Sequence, residues 1–217
     1  GLEAARDSAR AQKDCVPALE DAIAEVDAIL DTFAALLRIA QIEAGTRRAA
    51  FGEVNLRQVA TDAVQTYVAV AEDRRQQVSA ELDGAATVQG DRELLTQMIV
   101  NLIENSIRHC PPGTRIAVRL ASESEGPLLI VSDNGPGIPP VERDKVLRRF
   151  YRLETSRTTP GSGLGLALVK AVADLHGAAL ELGSNDPGLR VTVRFRNQPA
   201  VRPQPESERR VSYSPAL

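Results

Sequence analysis

Aromatic residues are scarce in this sequence: none of its 217 residues is tryptophan, and only 3% are aromatic. Proteins that bind single-stranded nucleic acids depend on stacking of bases on aromatic rings, so this class is disfavoured. The formal net charge of -3 and the pI near 5.6 point the same way, because nucleic-acid binders normally present a basic surface. We therefore expect no nucleic-acid partner.

Cysteine and long apolar runs are also rare. The two cysteines, Cys15 and Cys110, have no metal-binding or redox spacing, which indicates two reduced thiols. No apolar run approaches the roughly 18 residues that a membrane span needs, and the start carries no signal-peptide pattern. The remaining composition, 43% hydrophobic and 25% charged, is that of an ordinary globular protein.

The first fifty residues predict a long helix, because they contain fourteen alanines, one proline and two glycines. Their apolar residues recur in alternating steps of four and three, which is a heptad seam. The seam consists of Leu19, Ile23, Val26, Leu30, Phe33, Leu37 and Ala40. Asp14 and Pro17 predict the helix start, Gly45 predicts its end, and residues 2–13 are interpreted as the preceding helix of a hairpin. The seam packs either on the chain's own domain or in a bundle, often with a second chain.

Residues 51–197 alternate between strand and helix patterns. Strands are predicted at 53–56, 78–82, 87–89, 116–120, 128–131, 180–182 and 191–195, and helices at 57–74, 91–108, 139–147 and 163–175. We expect an α+β fold, a two-layer α/β sandwich in which helices cover one face of a mixed sheet, with a hairpin around Asp83-Gly84. The predicted domains are 1–46, 51–197 and a disordered, proline-rich tail at 198–217.

Polar side chains are stacked on one face of the predicted helix that begins at Asp91. Asn101, Asn105 and Arg108 follow one another at the spacing that puts residues on a common helix face. Such a triplet is either a solvated face or a ledge for metal and phosphate. An asparagine carbonyl is a hard oxygen that suits Mg²⁺.

Two glycine-rich segments follow. The segment 133–138, Asp-Asn-Gly-Pro-Gly-Ile, comes directly after a buried strand. It is either a simple turn or a close approach of backbone to a flat ligand, with the Asp133 carboxylate accepting from an exocyclic amine such as that of adenine. The segment 161–166, Gly-Ser-Gly-Leu-Gly-Leu, opens a helix and offers N–H groups to phosphate, or else allows close packing. Residues 143–160 contain six basic and two acidic residues, which predicts a lid over phosphates.

The order and spacing of these segments resemble the catalytic ATP-binding domain of sensor histidine kinases, in the Bergerat-fold ATPase superfamily. The matching segments are 101–109 (N box), 133–138 (G1 box), 150–152 (F box), 161–166 (G2 box) and 38–45, the end of the second dimerisation helix. The resemblance covers roughly residues 2–197.

The resemblance implies ATP and Mg²⁺ as ligands and assigns roles to individual residues. Asn105 would coordinate Mg²⁺, and Asp133 would accept from the adenine amino group. The adenine pocket would be shaped by Gly135, Gly137 and Ile138, with His109 as pocket wall and Tyr151 packing the lid. The phosphates would be reached by Asn101, Arg108 and the loop residues Gly161, Gly163, Leu164, Gly165 and Leu166. Arg152, Arg157 and Arg108 would act on the γ-phosphate.

The sequence departs from the family pattern in two places. It has Gly188-Leu189-Arg190 where a glycine-threonine box is usual, and it contains no His-Glu/Asp-x-x-x-Pro phosphoacceptor motif. Of its two histidines, His109 is interpreted as pocket wall and His176 as a structural residue at a helix end. We therefore expect the chain to begin inside the first dimerisation helix, just after that motif.

The resemblance also implies partners and a location. The full-length protein would be a homodimer through its dimerisation helices, would pass its phosphoryl group to the receiver domain of a response regulator, and would reach the membrane only through other segments. This chain would be the cytoplasmic domain of an inner-membrane sensor. Two other functions stay open: a hydrolytic relative, which would need a glutamate at the Asn101 position as general base, and a nucleotide-gated scaffold without transfer.

Overall fold

The computed structural model describes residues 2–45, 50–83, 86–154 and 161–197. Helix α1 runs without a break from Leu2 to Glu43. The predicted helix start at Asp14 and the hairpin before it are therefore wrong, because the alanine-rich sequence on both sides of Pro17 continues the helix through it. The predicted end is confirmed: Gly45 has a φ of 72°, and its N–H donates to the carbonyl of Ile42.

Within the described ranges, ten strands and α-helices follow α1, and they agree closely with the predicted pattern. They are β1 (Gly52–Asn55), α2 (Leu56–Asp73), β2 (Gln77–Leu82), β3 (Thr87–Gly90), α3 (Arg92–His109), β4 (Arg115–Glu123), β5 (Gly126–Asp133), α4 (Gly165–Leu175), β6 (Ala179–Ser184) and β7 (Leu189–Arg194). The helix predicted at 139–147 is only a 3-10 turn over Pro140–Glu142. Its start at two consecutive prolines removes two backbone donors.

Strands β2, β4, β5, β7 and β6 form one mixed sheet in that order, in which β2 and β4 are parallel and the other pairs antiparallel. Strands β1 and β3 pair with each other in a separate two-stranded sheet. The predicted hairpin of β2 and β3 around Asp83 is therefore wrong; Gly84 itself lies outside the described residues. Pairing of Val54 with Val88 buries both side chains, which the hairpin would not achieve.

Helices α2, α3 and α4 cover one face of the large sheet, with α3 between the other two. The predicted α+β sandwich is confirmed. Strand β4 shows why: Ile116, Val118 and Leu120 are buried under the helices, while the residues between them are not. In α3 the apolar stripe that includes Leu94 and Met98 faces this core, so the polar stripe of the same helix is left for another surface.

Among the side chains of α1 that the structure describes, those packed on the domain lie near the helix end, where Ile39 and Ile42 are buried and α1 contacts α4. The heptad seam lies elsewhere: Leu19 is 63% exposed, and Phe33 is 60% exposed. Of the two predicted alternatives for the seam, packing on the chain's own domain is therefore excluded. No helix within the described ranges combines the length and apolarity that crossing a membrane requires.

His176 holds the end of α4 against the start of α3. Its ring is buried and stacks on Phe51 at 4.8 Å between centroids. Nδ1 lies 2.8 Å from the carbonyl of Val172, and Nε2 accepts a hydrogen bond from the Asp91 N–H at 3.0 Å. Burial lowers the pKa of His176 below its ordinary value, although the Val172 carbonyl and the Asp91 charge act in the opposite direction. The sequence-based interpretation of a structural helix-end histidine agrees with this geometry.

The lowered pKa predicts that this junction weakens in acid. Below the ordinary pKa of 6.5 the unfolded chain binds a proton that the folded chain resists, so the free energy of unfolding should fall as pH decreases and level off above about pH 7.5. Chemical denaturation at a series of pH values measures this. The variant His176→Gln keeps an acceptor for the Asp91 N–H but cannot titrate. It should therefore weaken the dependence of the free energy of unfolding on pH.

The control for this experiment is the only other histidine, His109. Partial burial and the neighbouring Arg108 and Arg152 also lower its pKa. The variant His109→Gln should keep most of the pH dependence, because His109 retains more solvent contact than His176, which is 4% exposed. A profile that His176→Gln leaves unchanged would contradict the assignment.

Candidate nucleotide-binding site

A cavity of about 710 Å³ opens between α3, the loop after β5, the segment that follows Pro139 and the start of α4. Its volume is in the range of small-molecule and cofactor sites. Thirteen of the predicted site residues line it: Asn101, Asn105, Arg108, His109, Asp133, Gly137, Ile138, Tyr151, Arg152, Gly161, Gly163, Gly165 and Leu166. Segments separated by up to 65 positions along the chain, from Asn101 to Leu166, therefore meet at one place.

Of the predicted site residues that the structure describes, two are not in the cavity wall. Gly135 adjoins the wall through its N–H, which donates to Asp133 Oδ1. Leu164 is 1% exposed, because its side chain belongs to the core while its backbone precedes the first turn of α4. Arg157 lies outside the described residues. Arg149, which belongs to the predicted basic lid, forms an ion pair with Glu43 of α1 instead of entering the cavity.

The Asp133 carboxylate is fixed at the end of β5. It is 3% exposed. Its Oδ2 accepts from the Ser106 hydroxyl at 3.0 Å, and its Oδ1 accepts from the N–H groups of Gly135 at 2.9 Å and Leu189 at 3.2 Å. A buried carboxylate held in one orientation by several donors is a preorganised acceptor. It can receive a hydrogen bond from an amine that enters the cavity.

Cys110 adds a fourth group at Asp133. Burial, the Asp133 charge and a hydrogen bond to Asp133 raise the pKa of this thiol to about 12. At neutral pH the thiol is therefore protonated. The thiol proton donates one of the hydrogen bonds that the Asp133 carboxylate accepts. The sulfur fills the space next to Gly135, in the loop that follows β5.

Two glycine loops meet behind Asp133 with no room for side chains. A Cβ on Gly188 would lie 1.9 Å from the Asp133 carbonyl oxygen, and one on Gly135 would lie 2.3 Å from the Cys110 sulfur. Gly188 has a φ of 115° and Gly137 a φ of 70°, which L side chains rarely adopt. The departure from the family pattern at 188–190 thus still keeps a glycine against Asp133. The leucine that follows supplies its backbone N–H and lines the cavity.

The asparagine face of α3 forms another wall. The Asn101 Oδ1 accepts from Gln97 Nε2 at 3.3 Å, while its Nδ2 is buried and has no hydrogen-bond partner among the described residues. A buried donor without an acceptor is unfavourable, so this group suits a ligand oxygen. Asn105 lines the cavity one turn further along. The described part of the chain contains no cluster of three His, Cys, Asp or Glu side chains that could hold a metal by itself.

Cationic and N–H groups gather around the glycine loop at 161–165, which lines the cavity. A Cβ on Gly161 would come within 3.4 Å of the Arg108 guanidinium, so Arg108 lies beside the loop. Helix α4 begins at Gly165, and the N–H groups of its first turn have no acceptor within the helix. Arg152 also lines the cavity and lies against Gly163. This part of the wall is therefore suited to anions.

The F-box segment packs on the G2 loop. The N–H of Phe150 donates to the Gly163 carbonyl at 3.1 Å, and a Cβ on Gly163 would lie 3.0 Å from the backbone of Phe150. The Tyr151 hydroxyl donates to Glu142, which also accepts from Lys145 at 2.9 Å. These bonds lower the pKa of Glu142 and raise the pKa of Tyr151. Tyr151 is thereby anchored to the 3-10 turn at the cavity mouth.

Sequence reasoning missed the groups that contact the site residues from other parts of the chain. Ser106, Cys110 and the Leu189 N–H all contact Asp133, yet they come from a helix, its cap and a distant strand. Glu104 of α3 also lines the cavity. In the structure its carboxylate accepts from the Tyr67 hydroxyl, whose pKa is raised by burial and by this bond. The only sequence signal for Ser106 is its position next to Asn105.

Comparison with known proteins identifies the family. Residues 90–199 match the family described as histidine kinase-, DNA gyrase B-, and HSP90-like ATPase. The chain is also similar to the signal transduction histidine-protein kinase/phosphatase MprB. It is 39% identical to that of Mycolicibacterium vanbaalenii over 145 residues, which is 63% of this chain and 30% of the relative. It is 49% identical to that of Mycobacterium tuberculosis over 105 residues, which is 46% of this chain and 20% of the relative.

A solved structure of a mycobacterial sensor histidine kinase MprB superposes with a TM-score of 0.62 at 32% identity, covering 68% of this chain and 99% of the solved one. The chain thus spans less than a third of the length of these two curated relatives but nearly all of the solved domain. It belongs to the histidine kinase-, DNA gyrase B-, and HSP90-like ATPase family, and its domain is the ATP-binding domain of a sensor histidine kinase.

Proposed function

We propose that this chain binds Mg·ATP and presents the γ-phosphoryl group for transfer to a histidine outside the chain, for relay to an aspartate of a response regulator receiver domain. One observation supports this above all: the same cavity is lined by a fixed carboxylate acceptor, Asp133, and by the start of helix α4, whose free N–H groups suit anions. A nucleotide needs both, an acceptor for its amino-bearing base and donors for its phosphates.

At the adenine end, Asp133 accepts from the amino group. Its other hydrogen bonds, from Ser106, Gly135 and Leu189, keep the carboxylate from turning away. Ile138 and Leu166 line the same cavity and offer apolar surface to the ring. A base with a carbonyl in place of the amino group would set two acceptors against each other.

At the phosphate end, the Asn101 Nδ2 and the first N–H groups of α4 donate to phosphate oxygens. Arg108 and Arg152 balance the phosphate charge, and Arg157 is assigned to the γ-phosphate. Guanidinium groups stabilise the charge that spreads over a transferring phosphoryl group. Mg²⁺, when bound, would neutralise the same charge, and Asn105 would hold it through its amide oxygen.

The donor set indicates how the metal binds. A single neutral amide oxygen is a weak site by itself, so most ligands of Mg²⁺ must come from phosphate oxygens and water. Isothermal titration should therefore detect no Mg²⁺ binding to the nucleotide-free chain at sub-millimolar concentrations. Mg²⁺ should strengthen ATP binding, and Asn105→Ala should reduce that strengthening by about tenfold.

The matched variant Asn105→Asp supplies a carboxylate in the same place and should increase the affinity for Mg²⁺. Thermal unfolding of both variants checks that the fold is intact. If Asn105→Ala kept the full effect of Mg²⁺ on ATP affinity, the metal assignment would be wrong, while the nucleotide assignment would stand.

Transfer is favoured over hydrolysis by the groups around the phosphates. The position where hydrolytic relatives need a glutamate is Asn101, and an amide is not a general base. The nearest carboxylate on α3, Glu104, is occupied by the Tyr67 hydroxyl. Two arginines at the phosphate end also argue against a passive scaffold.

The acceptor must come from outside the chain. His109 sits on α3 in the cavity wall, and both ring nitrogens of His176 are engaged in a buried contact. The exposed heptad seam of α1 is a surface that another helix can cover. We assign it to the dimerisation helices of a homodimeric sensor, one of which carries the acceptor. The remaining segments of that sensor would reach the membrane, with this domain on the cytoplasmic side.

A further inference from the structure

A chain of hydrogen bonds connects helix α1 to the cavity. The Arg38 Nη1 donates to Gln97 Oε1 at 3.0 Å, and Gln97 Nε2 donates to Asn101 Oδ1 at 3.3 Å. The second guanidinium nitrogen of Arg38 pairs with Glu93 at 3.3 Å. Arg38 belongs to α1, whereas the other three residues lie on α3, so the chain crosses from one helix to the other.

This chain has a direction. A guanidinium can only donate hydrogen bonds, so Gln97 must turn its oxygen toward Arg38 and its NH₂ group toward Asn101. Asn101 must then turn its own oxygen toward Gln97. The Nδ2 of Asn101 is left over: it is buried and has no partner among the described residues, and Asn101 is one of the residues that line the cavity. Arg38 thus determines the orientation of two side-chain amides in succession, those of Gln97 and Asn101.

Without Arg38 neither of these side-chain amides would have a preferred orientation. Either group of Gln97 could face Asn101, and Asn101 could present its oxygen to the cavity. A phosphate oxygen needs a donor, so only one of the two Asn101 orientations binds it well.

We propose that Arg38 and Gln97 are positioning residues that hold the Asn101 amide ready to donate to a nucleotide phosphate, so that docking of α1 on the domain and nucleotide affinity are linked. The proposal rests on the proposed function in taking a nucleotide as the ligand. Because linkage is reciprocal, the nucleotide must stabilise the docked end of α1 by the same factor by which docking raises its affinity.

The ion pair of Arg38 with Glu93 does not explain the arrangement by itself. Both side chains are substantially exposed, at 31% and 58%, and exposed ion pairs contribute little to stability. The docked end of α1 is held mainly by the buried Ile39 and Ile42. Arg38 therefore contributes orientation more than attachment.

The decisive variant is Gln97→Glu. A carboxylate still accepts from Arg38, which preserves docking of α1, but it has no N–H for Asn101. Asn101 then turns its NH₂ group toward the carboxylate and its oxygen toward the cavity. We expect ATP affinity, measured by titration calorimetry, to fall about tenfold, while the midpoint of thermal unfolding does not decrease.

Three comparisons isolate the effect. In an Asn101→Ala background, Gln97→Glu should cause no further loss, because the double-mutant cycle then lacks the group being oriented. Arg38→Met should lower ATP affinity although Arg38 does not line the cavity. Glu43→Gln removes a second ion pair between α1 and the domain, that with Arg149, and should leave ATP affinity unchanged.

The reciprocal effect needs no substitution. Addition of an ATP analogue should slow amide hydrogen exchange at residues 36–43 of the unaltered chain, and Gln97→Glu should weaken this slowing. The linkage would be overturned if Gln97→Glu left ATP affinity unchanged. It would also be overturned if the nucleotide had no effect on amide hydrogen exchange at residues 36–43. Failure of the unaltered chain to bind ATP would instead overturn the proposed function.

Discussion

Replacement of Asp133 by asparagine is expected to lower ATP affinity about 10- to 100-fold. The new NH₂ group would face the adenine amino group, and an unmatched buried donor pair costs roughly 1–3 kcal/mol, where 1.4 kcal/mol is a factor of ten. The same substitution should narrow the preference for ATP over GTP, because guanine has a carbonyl oxygen at the corresponding position. Titration calorimetry with both nucleotides measures the two effects together.

Asp133 also supports the fold, so a second measurement avoids substitution altogether. Purine riboside triphosphate lacks only the amino group, and the unaltered chain should bind it more weakly than ATP. Ser106→Ala serves as the matched variant, since it removes one donor to Asp133 while the carboxylate stays in place. Equal affinity of the unaltered chain for ATP and purine riboside triphosphate would rule out Asp133 as the adenine acceptor.

The present chain is expected not to label itself with the γ-phosphoryl group of ATP, although it binds the nucleotide. In-line transfer needs an imidazole nitrogen next to the γ-phosphate. His176 follows the last turn of α4, an 11-residue helix that begins at the proposed phosphate site, which places it about 16 Å from that site at 1.5 Å per residue. His109 is held on α3.

A helix with the acceptor motif His-Glu/Asp-x-x-x-Pro can be joined upstream, in register with the exposed seam of α1. The extended chain should become labelled by the γ-phosphoryl group of ATP, whereas the present chain should give no detectable label. The label should be lost in acid, because a phosphorus–nitrogen bond is acid-labile. The same extension with its acceptor histidine replaced by glutamine is the control and should stay unlabelled. Acid-labile label on the present chain, or an extended chain that binds ATP but never labels, would contradict the prediction.

Several parts of the site were predictable because short-range rules determine them. The cap at Asp91 accepts from the N–H groups of Glu93 and Leu94, as expected for an aspartate before an apolar helix. The helix period then fixes which face carries Asn101 and Asn105, because Leu94, Met98 and their neighbours occupy the core face. The position of Asp133 was predictable for the same reason, because it is the last residue of a buried strand.

Other predictions failed where the outcome depended on contacts between distant segments. Strands β2 and β3 are neighbours in sequence and carry a turn-forming Asp-Gly between them, yet each pairs with a more distant strand. Local turn propensity is weak compared with the burial that those pairings achieve. The helix start at Asp14 failed for a related reason: a capping residue and a proline do not end a helix whose sequence on both sides is rich in alanine.

The sequence by itself therefore determined the order of the elements, the polar face of α3, the two glycine loops and the family to which the domain belongs, because each depends on residues within a few turns or one short segment. Only the tertiary structure decided what surrounds Asp133, which amide of α3 is left with a free donor, and how Arg38 of α1 reaches it. These depend on which helices and strands pack together, and hydrogen-bond partners 27 to 59 positions apart leave no period in the sequence.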